Sequence, residues 1–375
     1  MSWSDRPGID SGRCPMAQRH RELSPHIATF RALRRAAMKA LISKRRKPGA
    51  AAFAANLERE VLRLERELHA GRYRPGKYVT IELFDPKHRI VSAAPFRDRV
   101  VHHALMGVVG PIFEAGFIDH TFANRKGKGT HSAIGVYERY RDAHRYVLRC
   151  DIFRFFPAID HETLKADFRR RIACAPTLAL LDRIVDGSNA QEPVNVYFPG
   201  DDLFAPHTRR RGLPIGNLTS QWFANMHLDG LDHFVTEKLG APYLRYVDDF
   251  ALFADDVMTL ESWRARIEAF LAKRRLKLHP RKTVILDTRE PATFLGCELL
   301  AGGKRRVPEE GVRRFRNRLR GIFDQVRAGT MTAREAEAKI TAWRAHADFA
   351  HAARLQRAIL RGYATRVQHP LENTN

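Results

Sequence analysis

The chain has 375 residues, with 65 Lys plus Arg against 42 Asp plus Glu, a formal net charge of +23. A hydrophobic fraction of 44% excludes a disordered basic tail. The absence of any apolar run of about 18 residues excludes a membrane-spanning helix, so the expected compartment is the cytoplasm, and excess positive charge points to a phosphate-bearing partner.

In chain order, Ile27, Phe30, Leu33, Ala37 and Leu41 recur at helical spacing. The run Ser43-Lys-Arg-Arg-Lys-Pro-Gly49 reads as a basic linker. Leu57, Val61, Leu64 and Leu68 form a second amphipathic helix, closed by Gly71. Residues 1–75 are thus expected to be a basic helical N-terminal extension. Val79, Ile81 and Leu83 alternate as in a strand, Asp85 to Arg89 form a turn, and Ile90 and Val91 begin a return strand. A helix carrying Val100, Val101, Ala104, Leu105 and Val108 follows. His102 and His103 in it have no acid at ligand spacing and read as packing or RNA contacts, not metal ligands.

Residues 147–152 read as a buried strand and 163–171 as a helix. Residues 186–211 are rich in Gly, Pro and Asp, either a functional loop or an insertion. A helix is expected within 216–239, another over 260–276, and a short strand over 294–300. After Pro308 the pattern is helical: Val312, Phe315, Leu319, Ile322, Phe323 and Val326 line one face. Arg313, Arg314, Arg316, Arg318 and Arg320 surround that stripe. Cys14, Cys150, Cys174 and Cys297 show no CxxC spacing and are expected to be reduced thiols.

The chemistry concentrates in Leu244-Arg-Tyr-Val-Asp248-Asp249-Phe-Ala-Leu-Phe253, where apolar strands flank two carboxylates. Adjacent acids repel, and a divalent metal is the strongest cation that would hold them together. Asp-Asp also occurs at 201–202 and 255–256, but the first pair lies in the loop and the second reads as a helix start. Asp151 ends the 147–152 strand and supplies a third carboxylate. Three such groups suffice for two Mg²⁺ ions, which can activate a 3′-hydroxyl and stabilise a leaving pyrophosphate. A second segment, Gly212-Leu-Pro-Ile215-Gly216-Asn-Leu-Thr-Ser220-Gln221, puts glycines before a helix. It fits either close backbone approach to a base pair or a plain loop and N-cap.

Taken in order, strand-Asp151, the Ile215-Gly216 segment, Tyr246-Val-Asp-Asp249, Leu276-Lys-Leu-His-Pro-Arg-Lys282-Thr and Phe294-Leu-Gly296-Cys resemble the palm of a reverse transcriptase. Upstream, Lys87-His-Arg89-Ile-Val-Ser-Ala-Ala-Pro-Phe-Arg97 and Phe122-Ala-Asn-Arg125-Lys-Gly-Lys-Gly-Thr130 resemble bacterial fingers motifs. Five ordered motifs over roughly residues 75–300 make the resemblance specific. It implies an α+β right-hand polymerase: fingers and palm over 76–305, with 186–211 as a loop insertion, and a helical thumb over 306–375. Most reverse transcriptases carry Gln-Gly and Ser-Pro where this chain has Ile215-Gly216 and Ser220-Gln221. That variant is similar to the enzymes of diversity-generating retroelements, which copy a template-repeat RNA with frequent errors at adenines. A small accessory variability protein binds those enzymes.

The resemblance implies RNA-directed DNA synthesis, with template RNA, a primer or cDNA strand and dNTPs as partners, and no membrane. It makes Asp151, Asp248 and Asp249 ligands of two Mg²⁺ ions, with Mn²⁺ as a substitute and the Ile152 carbonyl as an added ligand. Lys282 is expected to protonate the leaving pyrophosphate, or is a surface charge before a strand. Lys87 and Arg89 are expected on the triphosphate, or are solvated loop charges. Phe156 is expected to be the sugar gate, with Ile215 and Gly216 beside the nucleotide. Phe155 and Phe156 are adjacent aromatics on an expected strand, so one must point away. Arg125, Ser220 and Gln221 are expected to contact template or primer. Phe294, Leu295 and Gly296 are expected to support the primer, although a plain core strand fits equally well. The alternatives are a group II intron-like or phage-defence reverse transcriptase and, in a different class, a non-catalytic RNA-binding scaffold.

Overall fold

A computed structural model describes residues 19–84 and 89–368; Cys14 and Lys87 lie outside the described residues. Helices and antiparallel strands are mixed, the α+β class expected from the sequence. The chain divides into two compact units that interleave in sequence. The first comprises Met1–Ile118, Ile152–His233 and Glu268–Lys277; the second comprises Asp119–Asp151, Phe234–Ile267 and Leu278–Asn375. No helix among the described residues is long and apolar enough to cross a membrane.

In the first unit, the helices Phe30–Leu41 and Leu57–His69 pack with the helix Phe96–Glu114. They bury Leu33, Ala37, Leu41, Val61, Leu64, Val100, Val101 and Leu105, the apolar positions of the 3.6-residue period. Thr29 caps the first of these helices, its hydroxyl accepting from the Ala32 N–H at 3.4 Å. Pro48–Ala55 forms a further helix where the sequence suggested only a linker, with Pro48 in its first turn as proline permits. The helix His161–Arg171 contacts Leu218–His233, where Phe168 lies 4.8 Å from Phe223. Behind those rings, buried Asp167, His227 and Arg274 form one polar network.

Strands β1 (Val79–Leu83) and β2 (Arg89–Ala93) pair antiparallel, Ile81 opposite Val91. The strands lie where the sequence put them, but β1 is exposed along its length. A two-stranded ribbon has no second layer of its own to cover both faces. Loop 186–211 is drawn together by Arg209, which pairs with Asp201 and Asp160. It rejoins the unit through a bridge between Asp160 and Arg211.

The second unit is built on β3 (Tyr146–Asp151), β4 (Tyr243–Tyr246), β5 (Asp249–Ala254) and β6 (Val284–Asp287), in spatial order β4-β5-β3-β6. Val147, Leu244, Ala251 and Phe253 share one face and join a core with Ile134 and Tyr137 of the helix Thr130–Ala143. The expected single strand over 294–300 is a hairpin. β7 (Ala292–Phe294) turns through Leu295-Gly296 into β8 (Cys297–Leu299), and β9 (Arg305–Arg306) pairs on the far side of β8. Helices Glu309–Arg327 and Ala333–Phe349 follow, with Phe315 stacked on Trp343 at 3.6 Å.

Candidate active site

The acids come together through strand register. In the antiparallel β3–β5 pair, Asp151 is directly opposite Asp249, the last pair of the ladder. Residues opposite each other project to the same face with Cβ atoms about 4.5–5.5 Å apart. Asp248 is the second residue of the two-residue turn joining β4 to β5, where Tyr246 pairs with Asp249. Continuing the β3–β6 register two residues past Arg149–Val284 sets Lys282 opposite Asp151. The Lys282 Nζ donates to Asp151 Oδ2 at 2.7 Å. Asp151 also accepts the His279 N–H at its carbonyl, 2.7 Å away, which pins the segment carrying Lys282.

Burial, Asp248 and Asp151 push Asp249 up to about 7, against the opposing pull of Arg149 and Lys282. A carboxylate in that position is short of cationic charge. Among the described residues no three His, Cys, Asp or Glu side chains are drawn into ligand geometry, and the cation on Asp151 here is the Lys282 ammonium. The donor set is hard carboxylate oxygen with unmet demand for positive charge, and that fits Mg²⁺ or Mn²⁺.

The turn itself is strained. Val247 sits at φ 60, while Asp248 is absent from the positive-φ residues, the pattern of a type II′ turn. A β-branched residue there is an outlier, and such conformations persist only where the surroundings enforce them, at roughly 1–3 kcal/mol each. Arg245, fully buried on β4, donates from Nη1 to the Val247 carbonyl at 2.9 Å. Its backbone N–H donates to the His120 carbonyl, and its carbonyl accepts the Phe122 N–H. Sequence reasoning missed Arg245. The available signal was a lone arginine inside an apolar strand pattern, which demands a buried acceptor. Arg149 was missed too. It lies two residues before Asp151, hence on the same strand face as the acids.

The competing Asp-Asp pairs have local partners. Asp202 accepts the Phe204 and Ala205 N–H groups, and Asp256 accepts the Thr259 N–H at 2.7 Å, capping the helix Val257–Lys273.

Other expected site residues fall as follows. Ile152 is buried next to Asp151. Residues 155–158 form a short helix, not a strand, after Arg154 at φ 47. Phe155 is core and Phe156 is half-buried. On this short helix the two rings do not point to opposite faces as on a strand but meet edge to face, with centroids 5.6 Å apart. The Phe156 carbonyl accepts the Leu213 N–H at 2.9 Å, tying it to the glycine segment. The Ile215 carbonyl accepts the Ser92 N–H of β2. Gly216 has φ 104, and a Cβ there would lie 2.7 Å from Val91 Cγ1, so only glycine fits. Arg89 starts β2 and is exposed. Ser220 is buried within its helix and Gln221 is half-buried. In the second unit, Arg125 donates to the Thr121 carbonyl. Phe294 is core, 4.5 Å from Tyr137, while Leu295 and Gly296 form the turn beyond it.

A family model described as reverse transcriptase (RNA-dependent DNA polymerase) matches residues 84–299. The chain belongs to that family and is an RNA-directed DNA polymerase, a nucleotidyltransferase. Its described residues have a mixed α+β fold, and the family's template is RNA and its chemistry uses divalent metals. Among curated proteins the chain is 24% identical over 328 residues to Protein YkfC of Escherichia coli (strain K12), covering 73% of this chain and 82% of YkfC. Among solved structures it is similar to apo telomerase from Candida tropicalis truncated from its C-terminal domain. That match has 13% identity and a TM-score of 0.45 over 62% of this chain and 55% of the other. Telomerase from Candida albicans in complex with a fragment of telomeric RNA matches at 13% identity and a TM-score of 0.39, over 63% of this chain and 46% of the other. This chain spans about half the length of those telomerase chains.

Proposed function

We propose that the chain makes cDNA by two-metal-ion nucleotidyl transfer, with Asp151, Asp248 and Asp249 as the metal-holding acids. The observation that carries this reading is the direct β3–β5 pairing of Asp151 with Asp249, next to Asp248 at the hairpin tip. Bound there, two Mg²⁺ ions would activate the primer 3′-hydroxyl and neutralise the departing pyrophosphate. The Ile152 carbonyl is proposed as a further ligand. Lys282, already donating to Asp151, is proposed to give a proton to the leaving pyrophosphate.

The remaining roles follow from the motifs. Phe156 is proposed as the ring that excludes a 2′-hydroxyl, and Ile215 and Gly216 as the backbone beside the incoming nucleotide. Arg89 and Lys87 are proposed to hold the triphosphate. Arg125, Ser220 and Gln221 are assigned to template or primer, as is the Phe294-Leu295-Gly296 turn. The fingers, palm and thumb boundaries at 76, 305 and 306 belong to the same proposal.

The finer proposal is copying of a template-repeat RNA in a diversity-generating retroelement, with a small accessory variability protein as partner. Its support is Ile215-Gly216 and Ser220-Gln221 in place of Gln-Gly and Ser-Pro. An amide missing at position 215 removes a hydrogen-bonding constraint near the base pair, which favours error-prone copying. Primer extension on RNA with Mg²⁺ and dNTPs, followed by sequencing of the product, tests both levels. DNA synthesis with errors concentrated at template adenines is expected. Synthesis with evenly low errors would remove the retroelement reading, and no synthesis under varied templates would remove the polymerase mechanism in favour of an RNA-binding scaffold.

A further inference from the structure

Within the first unit, the C-terminal end of the helix Phe30–Leu41 and the residues after it meet the helix Phe96–Glu114 and the start of the helix Leu218–His233 around a cavity of about 360 Å³. Its lining contains Lys39, Lys44, Arg99, His102 and His103, and no carboxylate. Lys39, Lys44 and Arg99 are the cations, since burial holds His102 and His103 toward their neutral forms. Cations gathered without an acid repel one another, and such a cluster is relieved by an anion.

Three further observations point the same way. His102 is only 2% exposed, and its Nε2 has no hydrogen-bond partner. A buried polar atom left unpaired is costly, and a ligand oxygen that reaches it would offset that cost. The helix Leu218–His233 presents its N-terminus to the same space, and its first N–H groups have no intrahelical acceptor. Asn217, standing just before that helix, directs its side chain to Ser92, Ala94 and Pro214.

The lining also decides between phosphate ligands. A nucleoside triphosphate arrives with Mg²⁺, and nothing acidic lines this cavity to receive the metal. Ile42, 70% exposed, and Leu218 add apolar surface suited to a ribose or a base. We propose that this cavity is a subsite for the sugar–phosphate backbone of single-stranded RNA template. The inference rests on the reading of the chain as a template-copying polymerase and gives the N-terminal basic helices a specific part in it.

The test uses the full chain with Lys39→Gln and Lys44→Gln combined, and a Lys39→Arg, Lys44→Arg control. For a fluorescent single-stranded RNA, the slope of log binding constant against log salt should fall by about 0.7–1.4 in the Gln pair, one or two phosphate contacts, and stay near wild type in the Arg pair. In primer extension the template KM should rise several-fold in the Gln pair while the dNTP KM holds. RNA carrying 4-thiouridine should crosslink, by mass spectrometry, to residues 39–44 or 99–103. A Gln pair that matches wild type in slope and template KM, with crosslinks elsewhere, overturns the subsite while leaving the polymerase intact. A wild type that makes no DNA overturns the polymerase reading, whatever the RNA-binding slopes.

Discussion

Two hairpins in the second unit each turn in two residues, and they solve opposite problems. Between β7 and β8, Leu295 (φ 46) and Gly296 (φ 82) are both left-handed, as a type I′ turn requires, and the second position falls to glycine. Between β4 and β5, only Val247 is left-handed, so the second position keeps an ordinary φ and can carry the Asp248 side chain. The strain is moved onto valine, one residue before the acid, and buried Arg245 holds the valine carbonyl. The comparison teaches that turn type is chosen by what the second residue must present. A turn meant to expose backbone takes glycine there; a turn meant to aim a carboxylate takes an L-residue and carries strain beside it.

The largest break in this comparison is Asp248→Ala. DNA synthesis should fall by ~10³-fold or more while RNA binding holds. Synthesis equal to wild type in a single-nucleotide incorporation assay would refute the metal assignment.

Next is Arg245→Met, which removes the donor to the Val247 carbonyl. A loss of about 10–100-fold in kcat, with a higher Mg²⁺ requirement, is expected. Adding Val247→Gly, which adopts φ 60 freely, should recover part of it. If the metal titration does not move, Arg245 is structural only.

Asp249→Asn separates stability from activity. The folded-state carboxyl of Asp249 is raised to about 7 by burial and its two acidic neighbours. Its contribution is therefore stabilising below the unfolded value near 4 and is lost as pH rises toward 7. In metal-free buffer the Asn variant should melt above wild type at pH 7.5, by roughly 1–2 kcal/mol, and the gap should close near pH 4. Mg²⁺ should stabilise wild type and not the variant. Melting curves that run parallel across that pH range would remove the electrostatic account.

The smallest effect is expected from Gly296→Ala. Its positive φ disfavours a Cβ, yet the nearest atom is His346 Cε1 at an ordinary 3.6 Å. A loss of about 1 kcal/mol in stability is expected, read by urea unfolding, with little change in dNTP KM.

Long periodic helices were legible in the chain: the N-terminal pair, the one over 96–114 and the arginine-ringed one after Pro308. So was the acid hairpin, because apolar runs flanked it. The helix Thr130–Ala143 was not found, since Gly135 and scattered charges blur its apolar face. β6 was expected only as an unbounded strand after Lys282, because four residues give too short a run to show a period. Leu295-Gly296 was read as strand interior because apolar residues on both sides masked the turn.

The sequence by itself determined the chemistry on offer: three acids of the right kind, a lysine, and glycine where Gly216 must pass Val91. It determined the family as well, because motif order survives where pairing cannot be seen. Tertiary structure alone decided which residues face one another. Register is a relation between strands nearly a hundred residues apart, and a slip of one residue would turn Asp249 to the opposite face from Asp151. It also decided that Arg245 would lie buried beneath a strained valine, and that Lys39, Lys44 and His102 would line one cavity. Local sequence cannot express such placements, because each depends on what the rest of the chain packs against.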